Sequence, residues 1–100
     1  MEELLKSLKD RLQITWDEED IDLKSIISRS KSYLSELTGA TFDFDEEKWP
    51  KELLIERCRY VYNNAADEFE ENFAHELSRL ILLAALGKVG KLNEGLSRDV

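Results

Sequence analysis

The sequence predicts an all-α domain, and three observations carry that expectation. Apolar residues recur at spacings of three and four along most of the chain, which is the period of a helix face. Gly39, Gly87 and Gly90 and the single Pro50 stand where helices end or begin rather than inside the stripes. Alternation is confined to Thr41 to Asp45, too short for an independent sheet. The expected architecture is a small four-helix bundle over residues 1–86: a short N-terminal helix, two longer antiparallel helices and a C-terminal helix. Residues 87–100 follow as a flexible tail.

The first helix is expected over residues 2–12, where Leu4, Leu5, Leu8 and Leu12 form a narrow apolar edge. A helix this short is marginal alone, so it docks either on the domain or on a neighbouring subunit. Thr15 with Glu18 has the capping-box spacing, and Asp17, Glu18, Glu19 and Asp20 suit the positive end of a helix dipole. A second helix is therefore expected over about 17–38, with Leu23, Ile26, Ile27, Tyr33, Leu34 and Leu37 on its stripe. Ser30 is the polar exception there, and Gly39 supplies a left-handed cap. Residues 40–49 read as a loop whose Phe42, Phe44 and Trp49 pin it to the core or offer aromatic contacts to a partner. Pinning is preferred, because aromatic burial dominates core energetics as well.

Pro50 to Phe69 reads as the central helix. Leu54, Cys58, Val61 and Ala65 form one stripe and Ile55, Tyr62, Ala66 and Phe69 a second, so the helix is touched from two sides. Glu56, Arg57 and Arg59 fall on its wet face, and Asn63-Asn64 inside it suggests a polar contact between helices. The chain then either bends at Glu70 to Asn72 or continues into a fourth helix faced by Phe73, Leu77, Leu80, Ile81 and Ala84. Leu82, Leu83, Ala85 and Leu86 make its last turns apolar nearly all round, so the run Leu80 to Leu86 points to self-association or docking. Gly87 and Gly90 end it, and the tail is expected to be mobile.

Fourteen Lys and Arg against 22 Asp and Glu give a net charge of -8, with a tail of +1 on a body of -9. Gripping phosphate backbones needs the opposite balance, so sequence-specific nucleic-acid binding is not expected. The charge split suits head-to-tail contact between copies, or a basic partner surface. No apolar run is long enough for a membrane span, the charged N-terminus excludes a secretory signal, and the protein reads as soluble and intracellular.

No catalytic, cofactor or metal site emerges, and no enzymatic activity is expected. His75 is the only histidine, and it lacks both a zincin partner at Arg79 and the Glu at Asn72 that a di-iron motif needs. The acidic runs Asp17 to Asp22 and Asp43 to Glu47 lack the Gly of a calcium loop. No glycine-rich phosphate cradle exists, and Cys58, on an apolar stripe, reads as a buried thiol.

Four features occur in order along residues 3–86. A leucine helix ends in Leu12-Gln13-Ile14-Thr15-Trp16; an acidic run Asp17 to Asp22 opens a helix; that helix closes with Tyr33-Leu34 and Leu37-Thr38-Gly39. A third then begins at Pro50 and carries Arg59-Tyr60-Val61-Tyr62-Asn63-Asn64-Ala65. In this the chain resembles the head-to-tail connector (adaptor) family of tailed bacteriophages and prophages. The resemblance implies a non-enzymatic ring, commonly dodecameric, under the portal. Such a ring extends the DNA channel and meets portal protein on one side and a stopper or tail-completion protein on the other. It places the protein in the virion neck, and in the host bacterial cytoplasm during assembly.

Candidate subunit or portal contacts are Phe42, Phe44, Trp49, Leu80, Leu82, Leu83, Leu86, Lys88 and Lys91. The alternative is a host-type acidic helical adaptor or regulatory module that blocks or mimics a basic partner.

Overall fold

A computed structural model describes residues 1–93. Five helices and one two-stranded sheet follow one another as α1 (Glu2–Leu12), α2 (Asp20–Thr38), β1 (Ala40–Thr41), α3 (Lys48–Tyr62), α4 (Ala66–Asn72), α5 (Ala74–Ala85) and β2 (Lys91–Leu92). The fold is a small all-α bundle, as expected.

α1 keeps the expected bounds and seats Leu4, Leu5 and Leu8 in the core of its own chain, against α2 and α3. It ends where Gln13 takes a left-handed conformation (φ 60°), with Ile14 N–H donating to Lys9 O and Gln13 N–H to Asp10 O. That pair of bonds satisfies carbonyls the last turn would otherwise orphan, and buried Ile14 closes the motif with an apolar contact.

The expected start of the second helix is corrected by three residues. Asp20 is its first residue and Glu19 its cap, with no side-chain cap bond. Thr15 makes no capping box, since the helix starts too late for it to stand at the cap, and the neighbouring acids bond elsewhere. Lys9 Nζ lies 2.7 Å from both Asp17 and Asp20, and Glu19 accepts from Trp16 Nε1 at 2.7 Å and from the Tyr62 hydroxyl at 3.0 Å. Leu23, Ile26, Ile27, Ser30 and Leu34 line the buried face of α2, while Tyr33 and Leu37 are partly buried. Gly39 (φ 70°) caps the helix as expected.

α3 begins at Lys48, so Pro50 occupies the third helical position, still within the turn whose N–H groups need no helical partner. Leu53, Leu54, Ile55 and Cys58 are buried, whereas Val61 is only partly so. The central helix stops at Tyr62, short of the expected Phe69. Asn64 sits at φ 59°, and its N–H and that of Ala65 reach back to Val61 O and Tyr60 O. Asn63-Asn64 thus ends the helix rather than bridging helices from within it, since Asn tolerates the left-handed region better than most side chains. The next bend falls at Phe73, just past the expected Glu70 to Asn72, so α5 is the expected fourth helix and α4 is formed from the end of the expected central helix and the expected bend.

Aromatic rings fasten this broken segment. Phe69, fully buried, stacks on Phe73 at 4.9 Å and meets Tyr60 and Tyr33 edge-on at 5.6 and 6.2 Å. The Arg57 guanidinium lies 3.8 Å from the Tyr33 ring centre and donates to Ala66 O, so Arg57 is half-buried and not on a wet face. Glu56 pairs with Arg59 at 2.9 Å and with Arg11 of α1, whose second contact is Glu52. Those guanidinium partners hold the Glu56 carboxyl below its usual range, the Arg59 hydrogen bond foremost.

The segment after α5 returns across the domain. Lys91 and Leu92 pair antiparallel with Thr41 and Ala40, so the stretch read as a loop holds a short strand. Glu47 accepts from Gly90 N–H at 2.7 Å and from Asp43 N–H at 3.0 Å, and Asn93 N–H donates to Gly39 O. The start of the expected flexible tail is therefore tied down as far as Asn93. Residues 94–100, the rest of it, lie outside the described residues.

Candidate interaction surface

The nine candidate contact residues separate into two groups. Phe42, Phe44 and Leu80 are buried in the chain's own core, and Trp49 and Leu83 are partly buried. Phe42 and Phe44 pack ring to ring at 5.9 Å beside a shallow groove of about 450 Å³ whose rim includes Met1, Lys31 and Lys91. They pin the loop, which is the reading preferred on energetic grounds. Trp49 lies under the Arg79 guanidinium, 5.7 Å from its ring centre, and ties the start of α3 to α5.

Leu82, Leu86, Lys88 and Lys91 are exposed. The exposure of Leu82 and of Leu86, the residue that caps α5, follows from the register of that helix: Leu77, Leu80 and Ala84, spaced three and four apart, face inward, and Leu82 and Leu86 fall on the opposite side. Leu82 is 58% and Leu86 61% exposed, with Ile81 exposed beside them. One helix thus carries a three-residue aliphatic strip in water. Residues 77–93 contain no Asp or Glu, and Arg79, Lys88 and Lys91 are their charges.

A second exposed apolar pair went unnoticed in the sequence. Ile21 is 83% exposed, and Trp16 close to it in the chain is also exposed. The signal was available: Ile21 is off the stripe of Leu23, Ile26, Ile27, Ser30 and Leu34, yet its place in the acidic run hid it. Asp17, Glu18 and Asp22 are exposed around it.

The groups weighed for chemistry are placed as follows. Burial pushes the Cys58 thiol up to about 11, and the thiol is fully enclosed. His75 is exposed on α5. Among the described residues, no three His, Cys, Asp or Glu side chains are grouped to hold a metal ion, and no helix is long and apolar enough to cross a membrane.

Fold and surface define a small all-α module with an aliphatic strip uncovered on its last helix. No protein-family model, curated protein or solved structure matches the chain.

Proposed function

We propose that this chain is a structural assembly protein, a head-to-tail connector of a tailed bacteriophage or prophage. It forms a ring on the portal vertex, extends the DNA channel and joins the filled head to the tail. The observation that carries the reading is the strip of Ile81, Leu82 and Leu86. Leu82 and Leu86 on the outer side of α5 and its cap, with Ile81 at their edge, gain on the order of 1 kcal/mol each when another molecule covers them.

The charge balance supports it, because an acidic wall lets DNA pass without adhering. The ordered sequence features from Leu12 to Ala65 supply the setting. The partners are further copies of the chain, twelve to the ring on the portal, with portal protein and a stopper or tail-completion protein above and below. The site of action is the virion neck, reached from the host cytoplasm, and the work is done by contact and not by a reactive group.

Size-exclusion chromatography with light scattering tests this, run across a concentration range with and without a phage portal protein from the same genome. Rings or a portal complex are expected. Leu82→Glu is expected to abolish them while changing folding stability by no more than about 0.5 kcal/mol. A chain that stays monomeric and ignores portal throughout, or a gene with no portal, capsid or tail genes around it, overturns the reading and leaves the acidic adaptor.

A further inference from the structure

The two exposed apolar patches lie at opposite ends of the molecule. Trp16 and Ile21 sit at the start of α2, whose 19 residues rise about 28 Å. The α5 strip runs toward the other end, where Gly90 meets Phe42 and β2 pairs with β1 directly after the cap of α2. One chain therefore cannot bring its own patches together.

Their surroundings are opposite in charge. Thr15 to Asp22 holds Asp17, Glu18, Glu19, Asp20 and Asp22 with no Lys or Arg, whereas Leu77 to Asn93 holds Arg79, Lys88 and Lys91 with no acid of its own; the acids nearest that stretch lie on the β1 side, where Glu47 is committed to Gly90 N–H and Asp43 and Asp45 line the groove that Lys91 rims. Part of the acidic end is already committed: Lys9 takes Asp17 and Asp20, and Glu19 accepts from Trp16 and Tyr62. Glu18 and Asp22 remain exposed beside Ile21 and form no ion pair among the described residues.

We infer that one copy of this chain docks head to tail on the next. The strip of Ile81, Leu82 and Leu86 covers Trp16 and Ile21 of the second copy, and Lys88 and Lys91 face its Glu18 and Asp22. A two-fold contact of strip on strip would bring Lys88 and Lys91 against a second set of cations, and like charges across an interface are strongly disfavoured. Pairing unlike ends leaves each copy with one patch still open, so the contact propagates and closes as a ring or extends as a filament. The inference rests on the assembly reading above and adds to it the surface that receives the strip.

Two charge-reversed full-length proteins test the pairing, Lys88→Glu with Lys91→Glu and Glu18→Lys with Asp22→Lys. Light scattering is followed alone, mixed and in the presence of portal protein, with thermal melts to confirm folding. Each variant alone is expected to associate at least roughly a hundredfold more weakly than the starting protein, the scale of two like-charged contacts. Their equimolar mixture is expected to recover association, because each reversed end then meets an opposite partner. The starting protein is expected to dissociate as salt rises.

Undiminished association of the Glu18→Lys, Asp22→Lys protein, or a mixture that stays apart, overturns the inference and leaves the connector reading standing. Portal binding without any copy-to-copy contact does the same. A starting protein that neither self-associates nor binds portal sinks both.

Discussion

Phe69→Ala tests what holds the broken C-terminal half to the bundle. α4 has seven residues, too few to persist as a helix in water, and Phe69 is its one buried side chain. That ring touches Tyr33 of α2, Tyr60 of α3 and Phe73 at the bend into α5, with the Arg57 guanidinium 5.4 Å from its centre. Truncating a buried Phe costs about 3–5 kcal/mol, and the spread reflects how far the site collapses. Collapse is limited here because three rings and a guanidinium wall the cavity, so a value near 4 kcal/mol is expected.

Against a total of roughly 5–15 kcal/mol for a chain of this size, that is a large share. It corresponds to a melting temperature lower by about 15–30 °C, at 4–8 °C per kcal/mol. Urea unfolding followed by far- and near-ultraviolet circular dichroism gives the number, with Phe73→Ala, whose ring is partly exposed, as the milder reference. A loss below about 1.5 kcal/mol for Phe69→Ala, or one smaller than that of Phe73→Ala, would refute the view that this ring is the fastening point.

Three further outcomes are expected. A Cβ at Gly90 would stand 2.7 Å from the Phe42 ring and 3.0 Å from Thr41 O, at φ 64°, whereas one at Gly87 meets nothing within 4 Å at φ 72°. Gly90→Ala should therefore cost about 1–3 kcal/mol and Gly87→Ala about 1, read from urea midpoints, and equal costs would mean that the return strand is not packed on Phe42. Tyr33 is pushed up to about 12, by burial first and then by its hydrogen bond to Glu70. The fold favours the neutral phenol, so its contribution is complete below pH 10 and is lost as pH rises through about 12. Phenolate absorbance, assigned with Tyr33→Phe, should show this tyrosine titrating late and Glu70→Gln moving it back; ordinary titration at 10 would contradict the geometry. Native Cys58, fully buried with its thiol pushed up to about 11, should react with a thiol reagent only as fast as the chain opens, so labelling that outpaces amide exchange in α3 would place it outside the core.

The helices were legible because their cause is local. The stripes Leu4, Leu5, Leu8 and Leu23, Ile26, Ile27, Leu34 are periodic in sequence, and periodicity decides which face is buried. Helix ends were legible only where the deciding group was local too. Gly39 announces a left-handed cap on its own, whereas Gln13 and Asn64 adopt the same conformation without a glycine to mark it. The Thr15 cap failed where the helix starts late: residues 17–19 stay outside α2, and Asp17 and Asp20 pair with Lys9 on another helix, a contact no local pattern announces.

The same division governs the candidate surface. An excess of apolar residues in Leu80 to Leu86 can be counted from sequence. Which of them stay in water depends on α5 turning Leu80 and Ala84 toward α2, leaving Leu82 and Leu86 outside. Ile21 carries the point furthest. It lies two residues from a core leucine and is the most exposed large apolar side chain among the described residues, because the register that turns Leu23, Ile26 and Ile27 inward turns Ile21 to the opposite side of the first turn of α2. The register of one buried stripe thus decides what a neighbouring molecule finds on the other side of the same helix.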